Sequence, residues 1–174
     1  MKIIDLVLTD LDKPKKINKR TFYLSDWIDI NKGDKKKLIS KPFKDYKDKI
    51  KGHRYLDRFR IVVENKFANY LYSYHNKNYS KILLKNLSSL WVGQYLQFIY
   101  IRWLITDQAI KQKDKIIISD INIDKEINNY LDALDFMDLA FENDAFNYFH
   151  IKKIFNFRKK SFKNKIFFKK KKVI

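Results

Sequence analysis

The amino-acid sequence predicts an α/β fold in which a small parallel, Rossmann-like sheet is covered by a large helical layer. Short apolar segments that suit buried strands occur at residues 2–9, 21–25 and 115–119. Apolar side chains recur every three or four residues along 53–76 and 78–111, which is the period of a helix. With 45% hydrophobic and 16% aromatic residues, the 174-residue chain has enough apolar material for a core of its own.

A polar segment at residues 10–20 separates the first two strands and is predicted to form a loop. Asp26 and Trp27 directly follow the second strand. The carboxyl end of a strand is where ligands bind in open parallel sheets, so these two residues become candidates for a site. The Lys-rich segment 31–52 is predicted to be a solvated connection before the first helix.

The helical layer is predicted to consist of three long segments. Residues 53–76 carry one apolar stripe, whereas 78–111 are apolar on most sides and should lie in the centre of the domain, as one helix or as two. Residues 124–155 form the third segment. Residues 86–101 carry no formal charge, but 16 residues with several Ser and Gln favour a buried helix over a membrane span.

The formal net charge of +18 is concentrated at the carboxyl end, because residues 150–174 contain 11 Lys or Arg and no Asp or Glu. We predict one α/β domain at 1–155 and a basic, Lys- and Phe-rich tail at 156–174. This tail is a disordered end, the product of truncation, or a surface for nucleic acid or anionic lipid. The chain has no cysteine, which excludes disulfides and thiolate metal sites.

Standard motifs for catalysis or phosphate binding are absent. The sequence contains no Gly-x-Gly-x-x-Gly or Walker-type loop, no His-Glu-x-x-His and no Gly-x-Ser-x-Gly. The three histidines, His53, His75 and His150, lack the mutual spacing of metal ligands. The acidic residues at 132–144 are expected to form a solvated helix face in preference to a Mg²⁺ site, so we predict no metal.

Candidate functional residues remain in two of the predicted connections. Asp26 could act as a base beside Trp27; the alternative is a helix N-cap followed by a packing aromatic residue. Asn78 and Lys81 could contact a phosphate or a sugar hydroxyl; the alternative is a helix–helix turn capped by Asn78 or Ser80.

The central helical segment contains two residues that need an explanation. Gly93 costs about 1 kcal/mol relative to Ala inside a helix, and close packing against another element would explain it. Arg102 needs a partner if it is buried. It either pairs with a carboxylate inside the domain or faces an anionic ligand.

Several motifs occur together along the first 155 residues. Thr9-Asp10-Leu11 follows the first strand, Ser25-Asp26-Trp27 the second, and His75 leads into Asn78-Tyr79-Ser80-Lys81. The long helix carries Trp91, Tyr95, Gln97, Arg102 and Trp103, and an acidic-aromatic stretch covers 135–150. These segments resemble the amino-terminal region of transferases encoded in bacterial O-antigen and surface-polysaccharide loci. The chain departs from that pattern at Ile82-Leu83-Leu84, where those proteins have Arg-Tyr-Trp, and at Ser89-Leu90, where they have Gly-Pro.

The resemblance implies transfer of a glycosyl or related group from a nucleotide-activated donor to a saccharide or lipid-linked acceptor. It also implies the amino-terminal half of a two-domain, GT-B-like enzyme, so this chain is expected to lack the donor-binding half and any cofactor of its own. Asp26 is then the candidate base, and Trp27, Asn78, Lys81 and Arg102 are acceptor contacts. The expected location is the cytoplasm, with peripheral contact at the inner membrane.

The alternative function is a noncatalytic module. In that case the basic tail would bind nucleic acid or an anionic membrane, and no group transfer would occur in this chain.

Overall fold

A computed structural model describes residues 2–28, 37–39, 41–112, 114–123, 133–162 and 165–170. The helices and strands are, in chain order, β1 (Ile3–Val7), β2 (Thr21–Tyr23), α1 (Tyr46–Tyr74), α2 (Lys81–Lys111), β3 (Lys115–Asp120), α3 (Ala133–Glu142), α4 (Asp144–Lys159) and β4 (Ile166–Lys170). A short 3-10 turn at Asp10–Asp12 follows β1. The predicted α/β class is confirmed.

The chain divides into two compact units. The sheet unit comprises Met1–Pro42, Ile101–Asn129 and Leu139–Ile174. The helical unit comprises Phe43–Tyr100 and Tyr130–Asp138. Helix α2 contributes to both units, because the division falls between Tyr100 and Ile101.

The sheet has four strands in the order β2-β1-β3-β4, and every pair is parallel. The register places Ile4 beside Ile116 and Ile118 beside Phe168. Strands of this kind are rich in β-branched and aromatic residues, which pack well on a pleated surface. The predicted parallel, Rossmann-like sheet is therefore confirmed.

One face of the sheet packs against α2 and α4. Because strand side chains alternate between faces, every second residue of β1, β3 and β4 points to these helices. This core consists of Ile4, Leu6, Ile116, Ile118 and Ile166 from the sheet, and of Ile105, Ala109, Ile110, Tyr148, Ile151 and Phe155 from the helices. Fully burying an aliphatic or aromatic side chain stabilises a fold by about 1.5–3 kcal/mol, so this cluster contributes strongly to the stability of the sheet unit.

The helical unit is held by contacts between α1 and α2. The Arg60 guanidinium binds the Glu64 carboxylate at 2.6 Å and the Ser89 hydroxyl at 2.8 Å. The rings of Phe67 and Trp91 stack at 5.6 Å between centroids. Among the helices that the structure describes, none combines the length and the apolar character needed to cross a bilayer.

Two element boundaries differ from the sequence prediction, and one open alternative is decided. Helix α1 begins earlier, at Tyr46, because the Asp45 side chain accepts a hydrogen bond from the Asp48 amide (2.7 Å) and caps it. Helix α2 runs through Ser88 unbroken, since that hydroxyl bonds within the helix to the Leu84 carbonyl (2.8 Å). The third helical segment is broken by Asn143, whose side chain accepts from the Phe146 amide at 2.9 Å and caps α4. Residues 124–132 of that segment lie outside the described part of the chain.

The predicted tail, residues 156–174, contributes to the sheet unit. Helix α4 continues to Lys159, and β4 pairs with β3. Ile166 is fully buried and Phe168 packs against the core, whereas Phe167 between them is exposed. Buried and exposed side chains alternate along this segment with a period of two residues. Such a period forms a half-buried strand even among lysines.

Candidate functional site

Three loops leave the sheet at its carboxyl edge. They follow β1, β2 and β3 and comprise residues 8–12, 24–28 and 121–123. Strand β1 lies between β2 and β3, so the chain moves to one side of β1 and later returns on the other. Ligands in open α/β sheets bind at such a switch point. The candidate site is therefore this edge.

The loop after β1 is fixed by a buried carboxylate. Asp12 is 2% exposed, and its oxygens accept hydrogen bonds from the backbone amides of Leu8 (2.9 and 3.1 Å) and Thr9 (2.8 Å). These bonds compensate for the removal of the carboxylate from water. Asp12 therefore positions the loop. Asp10, two residues earlier, is more exposed to solvent than Asp12.

The loop after β2 carries two of the predicted site residues. Asp26 is exposed and accepts a hydrogen bond from the Ser25 hydroxyl at 3.2 Å. Trp27 is half-buried, and its indole N–H donates to the Leu8 carbonyl at 3.2 Å. The Trp27 ring is thus tied to the neighbouring loop after β1, while the Asp26 carboxylate points to solvent.

Arg102 of α2 lies over the Trp27 ring, with 5.3 Å between the guanidinium carbon and the ring centroid. Its guanidinium also donates to the side-chain oxygen of Asn147 (2.6 and 3.2 Å) and to the Ala140 carbonyl (3.2 Å). Burial lowers the pKa of Arg102 to about 10, so the group stays protonated at neutral pH. A permanent cation therefore supports one face of the indole.

The residues after β3 are held by α4. The Tyr148 hydroxyl donates to the Ser119 carbonyl and accepts from the Ile121 amide (3.1 Å). Burial raises the pKa of Tyr148 to about 12; the bond from Ile121 opposes this, and the charges of Asp12 and Asp120 add to it. Lys152 forms an ion pair with Asp120 and donates to the Ile121 carbonyl (3.2 Å). These contacts stabilise the loop after β3. The polar groups of Tyr148 and Lys152 are already used in them.

Two carboxylates of the carboxyl edge interact across elements. Burial raises the pKa of Asp144, at the start of α4, and the charge of Asp10 raises it further, while a hydrogen bond from the Asp10 backbone opposes the shift. Two neighbouring carboxyl groups are one arrangement that can supply an acid and a base. Asp144 belongs to the acidic stretch 132–144, for which the sequence predicted a solvated helix face, and Asp10 belongs to the Thr9-Asp10-Leu11 motif after the first strand.

The second face of the sheet borders a cavity of about 510 Å³. Its polar lining includes Asp5, Thr21, Ser119 and Lys169, which alternate along their strands with the core-facing residues. The Oδ2 atom of Asp5 also lies 3.8 Å from the Nε atom of Arg20. The signal in the sequence was the position of Asp5, because a carboxylate that interrupts an apolar strand must face solvent or a partner.

The structure distributes the five predicted site residues over both units. Trp27 and Arg102 contact each other in the sheet unit, and Asp26 is the neighbour of Trp27. Asn78 and Lys81 belong to the helical unit, where both are exposed beside the α1–α2 turn. The Lys81 ammonium lies 5.0 Å from the centroid of the Tyr72 ring. Roles in binding or catalysis remain predictions for all five.

The carboxyl edge presents two kinds of group beside each other. Trp27 offers an aromatic surface, and Asp26 offers carboxylate oxygens that accept hydrogen bonds from hydroxyl groups. Within the described ranges, no group of three or more His, Asp or Glu is arranged to hold a metal ion.

Comparison with known proteins adds one family. A family model described as LIC12162 family transferase matches residues 4–173. No curated protein matches the chain, and no solved structure does. The family match covers parts of both units and runs from β1 to β4, and it confirms a transferase in general. The chain belongs to the LIC12162 family of transferases.

Proposed function

We propose that this chain supplies the acceptor-binding side of a glycosyl-transfer site in bacterial surface-polysaccharide biosynthesis. The observation that carries the proposal is the loop after β2, where Trp27 is fixed from two directions and Asp26 is exposed next to it. Family membership supports a transferase in general. The saccharide substrate and the pathway are the proposed parts.

The chemistry of this loop suits a sugar hydroxyl as the accepting group. An aromatic ring can pack against the apolar C–H face of a sugar, while a carboxylate accepts hydrogen bonds from its hydroxyls. Because Leu8 and Arg102 hold Trp27 in place, little side-chain entropy would be lost on binding. Asp26 would then be positioned as the base that removes a proton from the attacking hydroxyl.

The donor would be a nucleotide-activated sugar, as the resemblance implies. Within the helical unit, Asn78 and Lys81 are proposed as further acceptor contacts, because both are exposed and can donate hydrogen bonds. The acceptor would be a saccharide, free or lipid-linked.

Saturation-transfer NMR with the whole chain tests this function. The probes are oligosaccharides containing mannose, rhamnose or N-acetylglucosamine, and nucleotide sugars are measured separately. We expect at least one oligosaccharide to receive saturation at its ring protons. Trp27→Ala should weaken that binding about tenfold, the loss expected when one aromatic contact is removed.

Phe141→Ala is the matched control, since it removes an exposed aromatic residue elsewhere in the sheet unit. Its affinity should equal that of the unmodified chain. The proposal is rejected if no oligosaccharide binds, or if Trp27→Ala and Phe141→Ala behave alike while both remain folded.

The alternative, a basic module that acts through residues 156–174, receives less support. Phe162 and Phe168 pack against the core, and Arg158 stacks over the Trp103 ring and pairs with Asp107. Aromatic and basic groups that are used inside the sheet unit are less available for nucleic-acid bases or phosphates.

A further inference from the structure

The free end of the α1–α2 hairpin, residues 70–90, is here called the hairpin tip. Its exposed large apolar side chains include Ile82 (75%) and Leu87 (72%). Single exposed apolar residues are ordinary on protein surfaces, whereas a continuous group marks an interaction surface. At the hairpin tip this group also contains Tyr70, Tyr74, Tyr79, Leu83 and Leu90.

These side chains form two groups, one along α2 and one at the turn. Leu83, Leu87 and Leu90 follow the i, i+4, i+7 spacing that places residues on one face of a helix. Across the turn, ring contacts connect Tyr74 with His75 (5.2 Å) and His75 with Tyr79 (5.5 Å).

The charge of the hairpin tip has one sign. Between Glu64 and Asp107 the sequence contains no Asp or Glu, and Lys77, Lys81 and Lys85 lie within the tip itself. Asn76 and Lys77 both have positive φ angles (52° and 65°), and the Lys77 amide closes the turn on the Tyr72 carbonyl (2.9 Å). Beside this turn, the Lys81 ammonium lies 5.0 Å from the centroid of the Tyr72 ring.

We infer that the hairpin tip docks peripherally on a lipid bilayer that contains anionic lipid. Ile82 and Leu87 would enter the boundary between head groups and acyl chains, the tyrosines would lie at the head groups, and the lysines would bind lipid phosphates. Asn78 and Lys81, which are also proposed as acceptor contacts, lie within the hairpin tip, but vesicle binding is measured without saccharide and does not depend on that function.

Charge complementarity favours this occupant over two others. A second copy of the chain would bring two acid-free, lysine-bearing surfaces together, and like charges would oppose that contact. A nucleic acid would use the lysines and tyrosines but would leave Ile82, Leu83 and Leu87 in water. An anionic bilayer satisfies both the apolar and the charged groups.

Vesicle flotation tests the inference with the whole chain. We expect the chain to float with vesicles of phosphatidylglycerol and phosphatidylethanolamine and to remain in the soluble fraction with phosphatidylcholine vesicles alone. Ile82→Ser with Leu87→Ser should reduce the partition coefficient at least about tenfold, because two large apolar groups are removed.

Charge reversal at Lys77, Lys81 and Lys85 to Glu should reduce the coefficient roughly a hundredfold. The matched control replaces Lys47, Lys49 and Lys51 by Glu. These lysines are exposed near the start of α1, and their replacement changes the net charge by the same amount. This control should stay within about threefold of the unmodified chain. Circular dichroism checks that every variant keeps its helix content.

Four outcomes overturn the inference. The first is binding that does not depend on phosphatidylglycerol, and the second is an equal loss for the two charge-reversal triples. The third is a dimer, measured by light scattering, that dissociates when Ile82 and Leu87 become Ser, which would assign the surface to a second copy. The fourth is vesicle binding that those two substitutions leave unchanged and that single-stranded DNA fully competes away. That result would assign the surface to a polyanion.

Discussion

His150 is a buried titratable side chain on α4 whose surroundings favour the neutral imidazole. Burial lowers its pKa most, a hydrogen bond with the Phe146 carbonyl (3.0 Å) opposes the shift, and the charges of Lys153 and Arg102 lower the pKa further. In the unfolded chain the same imidazole takes up a proton near pH 6.5. The unfolded state therefore binds the proton first as the pH falls.

This difference predicts that the sheet unit loses stability in mild acid. The contribution of His150 is fully present above about pH 6.5 and declines as the pH falls from there through the lower pKa of the folded state, by up to about 1.4 kcal/mol per pH unit. His150→Gln should flatten the dependence of the free energy of unfolding between pH 5 and 8, measured with urea. An unchanged slope in His150→Gln would show that His150 is not its source.

Gly93 is unfavourable for helix propensity, and its packing explains why helix α2 contains it. A Cβ atom added at Gly93 would lie 2.9 Å from the Arg60 guanidinium carbon. That guanidinium is held by Glu64 and Ser89, so it cannot move without losing hydrogen bonds. The close packing that the sequence predicted for Gly93 is confirmed, and the neighbour is a charged side chain.

A double-mutant cycle tests this account. Gly93→Ala alone should lower the free energy of unfolding by about 1–2 kcal/mol, since overpacking outweighs the better helix propensity. In an Arg60→Ala background the same change should raise it by about 0.5–1 kcal/mol, because only the propensity gain remains. Urea denaturation of the four proteins measures the coupling. The same sign in both backgrounds would contradict the proposed contact.

The whole sheet unit is assembled from distant parts of the chain. Its central strands β1 and β3 are separated by the entire helical hairpin, and β4 comes from the basic carboxyl-terminal segment. Ile166 of β4 belongs to the main core, while Phe167 is 40% exposed. The final strand is therefore needed to complete one side of the core.

Adjacent substitutions in β4 test this role. Ile166→Ala should lower the free energy of unfolding by about 2–4 kcal/mol, as expected for removing a fully buried aliphatic side chain. Phe167→Ala, one residue further and on the other face, should change it by less than about 1 kcal/mol. Chemical denaturation followed by circular dichroism gives both values. Equal effects would indicate that β4 does not form this half-buried strand.

Part of the candidate site could be inferred from local sequence. Short apolar segments predicted strands, and the position of Asp26 and Trp27 directly after one of them predicted that they would stand at a carboxyl edge. The partners of Arg102 could not be inferred in the same way. Asn147, whose side-chain oxygen accepts from the guanidinium, lies 45 residues further along the chain.

Local sequence patterns by themselves determined the α/β class, the positions of strands β1 to β3 and the two long helices, because burial of one face imposes a period of two or of about 3.6 residues. Only the tertiary structure decided that β4 joins the sheet, that Arg102 supports Trp27, and that Asp10 and Asp144 interact. These contacts join residues far apart in sequence, and their formation depends on strand order and helix packing, which no local pattern specifies.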